Sequence, residues 1–220
     1  MTRRFHSLVL TSVTAATLAG SLSGCFPLLV GGAAIGAMVA VDRRTSGAQL
    51  EDEGIELRGG NRLRDAFGDR VRVTITSYNR QVLLTGEART EQDKQAVEQL
   101  IGRMENVRAV VNDIAILGMT PSLQQRTNDT LITGKVKASF IDAKDLHANA
   151  FKVVTERGAV YLMGLVSQRE ADRATQITRT VSGVQRVVRI FDILSEEDLQ
   201  RLSREPRQPA PRPPTVAPQS

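Results

Sequence analysis

The 220-residue chain has no tryptophan, one cysteine and two histidines, and aromatic residues make up only 4% of it. Each shortage closes off a class of protein. With so few rings, any core must be built from Val, Ile, Leu and Ala, and nucleic-acid binding by base stacking lacks its platform. A single cysteine forbids an intrachain disulfide and leaves a cysteine-based zinc site without ligands. No G-x-S-x-G, P-loop or paired-cysteine motif occurs. Beyond the first 25 residues His147 is the only histidine. Asp142 and Asp145 lie near it, but one histidine and two loop carboxylates fall short of a metal or acid–base constellation. No catalytic residue, metal ligand or cofactor is therefore assigned, and the chain reads as a non-enzyme.

The formal charge is +5, and +3 once Arg3 and Arg4 are discounted as part of an N-terminal export signal. Mild basicity permits attraction to anionic lipid or nucleic acid but demands neither. Export itself counts against a nucleic-acid partner.

The signal is read from three parts. Arg3 and Arg4 form a positive start, Leu8 to Leu22 is an apolar run diluted with Ser and Thr, and Leu22-Ser23-Gly24-Cys25 closes it. This pattern defines a secretory signal, and the run is too short and too polar for a transmembrane helix. LSGC resembles the lipobox of bacterial lipoproteins, with an ordinary cleaved signal as the alternative. The resemblance implies a diacylglycerol thioether on Cys25, cleavage before it, and N-acylation, palmitate being the expected chain. Two or more chains anchor stably where one does not. Phe26 lacks the aspartate that retains enterobacterial lipoproteins in the inner membrane, so the resemblance points to the outer membrane, with the rest of the chain facing the periplasm.

From Phe26 to Val41 runs FPLLVGGAAIGAMVAV, sixteen residues against the roughly 20 needed to span a bilayer. Its glycines and Pro27 weaken it as a helix, and it reads as a tether near the lipid surface. Gly32 and Gly36 also have the spacing that packs helices closely.

The remainder is organised by an internal repeat. Val82, Leu84 and Gly86 match Val160, Leu162 and Gly164 at an offset of 78. Each copy begins with a hairpin of alternating apolar residues. The turns fall at Tyr78-Asn79-Arg80 and Glu156-Arg157-Gly158, where Asn79 and Gly158 tolerate positive φ. A helix follows, opened by Thr90-x-x-Asp93 or Ser167-x-x-Glu170. One carries Val97, Leu100, Ile101 and Met104; the other carries Ala174, Ile177 and Val181. A strand closes each copy, Val107–Leu117 and Val184–Leu194, matched at an offset of 77. A further helix precedes each hairpin, one from about Glu51 to Phe67, interrupted at Gly59-Gly60, and one from about Asn128 to Ile141. Asn128-Asp129-Thr130 is read as a helix cap rather than a glycosylation sequon.

The fold class is therefore α+β, two tandem α-β-β-α-β units, each with helices on one face of a small three-stranded sheet. Each unit has about 70 residues, so each core is marginal alone, and packing of one unit on the other would help both. The divisions are a signal peptide (1–24), a lipidated cysteine and Gly-rich tether (25–48), a first domain (49–118), a linker (119–126), a second domain (127–195), and a charged then Pro-rich disordered tail (196–220).

The V-x-L-x-G after each hairpin, here Val82 to Gly86, and the ending Ser182-Gly183-Val184 through Val187 resemble BON domains. With a lipobox, a Gly-rich tether and two units in this order, the chain is similar to dual-BON outer-membrane lipoproteins over all but its tail. Asn128–Phe140 and Val160–Ala171 carry the likeness most clearly. The resemblance implies binding of anionic phospholipid, phosphatidylglycerol or cardiolipin, through the first helix of the second domain. It also implies a role in outer-membrane integrity, recruitment to division sites, and no catalysis.

The residues of that helix bear on the point directly. Ile132, Val136 and Phe140 form a core-facing stripe. Leu131, Lys135 and Ala138 lie on a neighbouring one, with Lys137 nearby. An apolar residue beside lysines suits a helix lying in a membrane interface, and an ordinary solvated face is the alternative. The family's helix carries tryptophan where this chain has Leu131, so the apolar contact is kept but the amphipathic ring is lost. A second function class stays open: a scaffold that docks an outer-membrane assembly or peptidoglycan-remodelling partner.

Overall fold

The computed structural model describes residues 42–116 and 122–204. Cys25, the signal, the apolar stretch to Val41 and the chain from 205 on lie outside the described residues.

Helix α1 (Ser46–Phe67) opens the first unit, with Thr45 Oγ1 accepting from Ala48 N at 3.1 Å. It buries Ile55, Gly59, Leu63 and Phe67 along one face. The interruption expected at Gly59-Gly60 does not occur. Gly59 lies against the sheet, where an added Cβ would stand 2.6 Å from Ile75 Cδ1. The missing side chain lets the helix approach closely, and that packing outweighs glycine's poor propensity.

Strands β1 (Val71–Tyr78) and β2 (Gln81–Ala88) pair antiparallel. Asn79 and Arg80 join them at φ 50° and 64°, the two-residue turn whose twist matches a hairpin. Helix α2 (Glu91–Gly102) crosses back, and β3 (Ala109–Asn112) and β4 (Ala115–Ile116) pair parallel to β2. The single strand expected over 107–117 is thus broken. Ile114 N turns to Asn112 Oδ1 at 3.2 Å, and the Ile114 side chain is buried in the core.

The second unit repeats the plan with α3 (Leu123–Asp142), β5 (Phe151–Glu156), β6 (Ala159–Val166), α4 (Gln168–Thr180) and an unbroken β7 (Arg186–Ile193). Ser167 and Glu170 form a complete capping box. Asp93 is one carbon shorter, and it binds the Thr90 hydroxyl and Arg70 instead. A last helix, α5 (Glu196–Arg204), occupies the start of the segment expected to be a disordered tail. Ser195 Oγ accepts from Asp198 N at 3.1 Å, three acidic residues fill the first turn, and Leu199 is buried, all of which favour a helix start. The folded region likewise begins before the expected boundary at 49, and α3 starts inside the expected linker.

Matched residues do matched work. Val82, Leu84, Val160 and Leu162 are fully buried against their own helices. A Cβ on Gly86, at φ +111°, would lie 2.0 Å from Arg72 O, and one on Gly164 would lie 2.5 Å from Ala150 O. The opposing strand's backbone leaves neither position room for a side chain. Each hairpin turn is also held by an aspartate of the preceding helix. Asp52 accepts from Asn79 N and Arg80 N at 2.7 Å each, and Asp129 accepts from Arg157 N and Gly158 N at 2.8 Å each. These bonds anchor Arg80 and Arg157, non-glycine residues at positive φ.

The two sheets pack back to back. Tyr78 and Leu83 of the first sheet meet Ala159, Tyr161, Met163 and Ile190 of the second in a continuous apolar cluster. The central strands are therefore buried on both faces rather than one, and the helices lie on the two outer sides. Polar contacts rim this interface. Arg108 and Gln81 reach Asp192, Tyr161 and Arg186 reach Asp113, and Arg157 pairs with Glu87. Lys152 bonds Glu56 at 3.0 Å. Arg43 grips Glu170 with both terminal nitrogens at 2.7 and 2.8 Å and also donates to Leu165 O. Both side chains are withdrawn from water, at 8% and 2% exposure. Arg44 lies 4.3 Å over the Tyr78 ring and bonds Asp52. The residues of both cores and of the interface cluster named here lie within 42–204, which belong to one compact unit.

Two stability predictions follow for the chain from residue 42 onward. Gly60, where a Cβ meets nothing within 4 Å, should gain about 1 kcal/mol on change to Ala, whereas Gly86→Ala should lose about 3 kcal/mol, both read by urea unfolding. The second concerns acid. Burial alone would raise the Asp52 carboxyl, but bonds from Ser77, Arg80, Arg44 and Asn79 hold it below the usual range. Glu170 is likewise held low against burial by Arg43 and Ser167. A carboxyl that is lower in the folded state stabilises fully above its unfolded value of about 4 and loses that contribution as pH falls through the folded one. Asp52→Asn should therefore be clearly less stable than the parent at pH 7, with the gap narrowing as pH falls below the unfolded carboxyl's value of about 4 in thermal melts.

Candidate functional site

Helix α3 starts earlier than its apolar pattern suggests. Ser122 is its cap, with Oγ accepting from Gln125 N at 3.2 Å. Asn128 is therefore not a cap, and its Oδ1 accepts from Gln124 one turn before. Asp129, Ile132, Val136 and Phe140 form the buried face. Phe140 packs on Phe151 with ring centroids 5.1 Å apart, and Phe151 on Phe191 at 5.9 Å. These contacts fix which side of the helix meets water.

The outward side carries three large aliphatic residues among polar ones. Leu123, Leu131 and Ile141 are 82%, 57% and 73% exposed, and Lys135, Lys137 and Ala138 are exposed with them. At about 100° per residue, Leu131 and Ala138 lie within about 20° of each other, and Leu123 and Ile141 share one azimuth about 80° away. Lys135 borders the strip on one side, and Lys137 with Arg126 on the other. Four aliphatic side chains are thus spread over about 27 Å, from 1.5 Å per residue, with exposed Thr127 and Gly134 between them, cations along both edges, and Asp142 beside Lys135 at the far end. Lys137 thus does not sit beside Leu131 and Lys135 but across the strip, about 120° round the helix from Leu131 and about 160° from Lys135. Leu123 and Ile141 escape a reading of the sequence that starts the helix at Asn128 and follows Leu131 alone. Their spacing of eighteen residues, five full turns, is the signal that would have found them.

Beside the strip lies an open groove of about 520 Å³ between α3, the Arg157-Gly158 turn and the segment linking α4 to β7. Leu131 and Lys135 line it, with Asn128, Gly158, Gly183 and Gln185; Lys137 and Ala138 do not. Its floor is shaped by glycines. A Cβ on Gly158 (φ +72°) would come within 3.0 Å of the Gln185 side chain, and one on Gly183 (φ +97°) within 3.0 Å of Ile132. Arg157 holds the turn in place and reaches Glu87 across the domain interface, and its Nε is the one buried side-chain nitrogen or oxygen among the described residues without a hydrogen-bond partner. Burial, with Asp129 nearby, pushes the neighbouring Glu156 carboxyl up despite Arg157.

Elsewhere the described residues offer little for chemistry. His147 and Asp145 are exposed, and Asp145 is paired with Arg173 at 2.9 Å. No group of three metal-ligating side chains occurs among the described residues, and no described helix is long and apolar enough to cross a membrane.

Comparison with known proteins agrees with this architecture. The BON domain model matches residues 54–118 and again 128–193. The outer membrane lipoprotein DolP of Haemophilus influenzae is 35% identical over 176 residues, 79% of this chain and 90% of the relative. The 21 kDa hemolysin of Actinobacillus pleuropneumoniae is 32% identical over 154 residues, 69% of this chain and 79% of the relative. Among solved structures, CdsD of the type III secretion system of Chlamydia trachomatis covers 68% of this chain and 98% of its own at a TM-score of 0.28 and 16% identity, too distant to support an argument. With two matched units on two α+β sheets, the chain belongs to the BON domain family.

Proposed function

We propose that this protein is a lipid-anchored component of the outer membrane that binds anionic phospholipid, such as phosphatidylglycerol or cardiolipin, through the outward face of α3. The observation that carries the reading is the exposed strip of Leu123, Leu131, Ala138 and Ile141 between Lys135 on one edge and Lys137 on the other. Such a helix lies in an interface with its aliphatic groups among acyl chains and its lysines at the phosphates. Each lysine near an anionic surface adds about 1 kcal/mol. Cys25 is the proposed attachment after loss of residues 1–24. Attachment raises the effective concentration of α3 at the bilayer, so weak affinity suffices. The proposed role is maintenance of the outer membrane, at division sites where anionic lipid is enriched, with no catalysis.

A second reading has its own observation. Leu50 and Leu57 of α1 are both 68% exposed, and α1 packs on the outer side opposite α3. A bilayer engaged by α3 leaves that face turned away, available to an outer-membrane assembly or peptidoglycan-remodelling protein.

Co-sedimentation of the chain from residue 42 onward separates the two. It should bind vesicles rich in phosphatidylglycerol or cardiolipin and leave phosphatidylcholine vesicles in solution. Leu131→Glu should weaken binding at least about tenfold, since burying a leucine is worth about 1.5–3 kcal/mol. Equal binding to neutral vesicles, or no effect of the substitution, contradicts the lipid reading.

A further inference from the structure

We infer that the groove beside α3 seats the headgroup of a glycerol-type phospholipid, a phosphodiester bearing free hydroxyls, and that Gln185, outside α3, is a selectivity residue. The inference rests on the lipid-binding reading above and adds a pocket and a chemical preference to it.

The groove is cationic in a particular way. Lys135 has no ion-pair partner among the described residues, and the carboxylate lining the groove, Asp129, is already committed to Arg157 N and Gly158 N. A phosphate therefore finds a free ammonium there, while a headgroup ammonium, as in ethanolamine or serine lipids, finds no free carboxylate and no aromatic cage. The other polar groups are primary amides. Asn128 uses its oxygen for Gln124 and keeps its nitrogen free, and the side chains of Gln125 and Gln185 make no hydrogen bond among the described residues. An amide both donates and accepts, as a hydroxyl does, so these groups suit a polyol better than an ammonium. Gln185 is held for the task. Its N donates to Gly158 O at 2.9 Å, and its side chain packs over Gly158, where any larger residue would displace it. Leu131 stands at the lip, so a lipid whose headgroup enters the groove runs its acyl chains along the aliphatic strip.

The test compares vesicles containing phosphatidylglycerol with vesicles containing phosphatidylserine at equal mole fraction, which carry equal net charge. The chain from residue 42 onward should prefer phosphatidylglycerol by about fivefold, the scale of one or two hydrogen bonds. Gln185→Ala should erase that preference without changing net charge, and Asn128→Ala should do the same should Gln185→Ala melt early. Gln99→Ala, on the opposite outer side in α2, should leave it intact. Retained preference in folded Gln185→Ala and Asn128→Ala, or equal binding of both lipids by the parent, overturns the groove while leaving the α3 membrane face standing. Failure of the parent to bind any anionic vesicle overturns both.

Discussion

The back-to-back packing of the two sheets is the contact on which the rest of the molecule depends. A unit of about 70 residues buries too little surface to be secure alone, and here each sheet gives up its second face to the other. Leu83 and Met163 are fully buried there, with Tyr161 nearly so, each worth about 1.5–3 kcal/mol on the usual scale for large apolar side chains. Alternation does the sorting. Val82 and Leu84 point to their helices and Leu83 to the other domain, and Val160 and Leu162 are likewise divided from Tyr161 and Met163. Once both inner faces are used, α1 and α3 can only lie on opposite outer sides. A flat bilayer can then engage only one of them, and on the proposed reading that one is α3.

The same packing joins Arg43 and Arg44 to the interface. Arg43 bridges to Leu165 and Glu170, and Arg44 to Asp52 and Tyr78. Leu165 and the Arg157-Gly158 turn lie at opposite ends of β6. Six residues at about 3.3 Å separate Ala159 from Leu165, or about 20 Å. Arg43 thus lies at one end of the second domain's central strand, and the groove opens at the other. Arg157 sits where these arrangements meet. Its backbone is held by Asp129, its turn walls the groove, and its guanidinium crosses to Glu87.

Much of this was legible in the sequence. The repeat offsets of 77 and 78 locate both hairpins, both crossover helices and the closing strands, and the glycine pair Gly86 and Gly164 marks where strand backbones crowd. The domain interface was less visible because a half-buried strand and a doubly buried one differ only at alternate positions. The consecutive apolar residues Val82-Leu83-Leu84 and Val160-Tyr161-Leu162-Met163 are its trace. Helix ends were missed where polar residues carry no periodicity. Leu123 to Arg126 reads as linker, yet Ser122 caps it into α3, and Glu196 to Arg204 reads as tail, yet Ser195 caps it into α5. Gly59-Gly60 reads as a break because propensity is local while the contact with Ile75 is not. At the site itself, Leu131, Lys135 and Ala138 share a side as read, whereas Lys137 lies across the strip, which only a count of helical angle reveals.

On the proposed reading a single helix, α3, is the membrane face. Hydrogen exchange of the chain from residue 42 onward, with and without phosphatidylglycerol vesicles, measures this directly. Added protection is expected along 123–142 and at the 157–158 turn, with 46–67 unchanged on the far side of the sandwich. Protection appearing on 46–67 instead, or spread evenly over both domains, would contradict it.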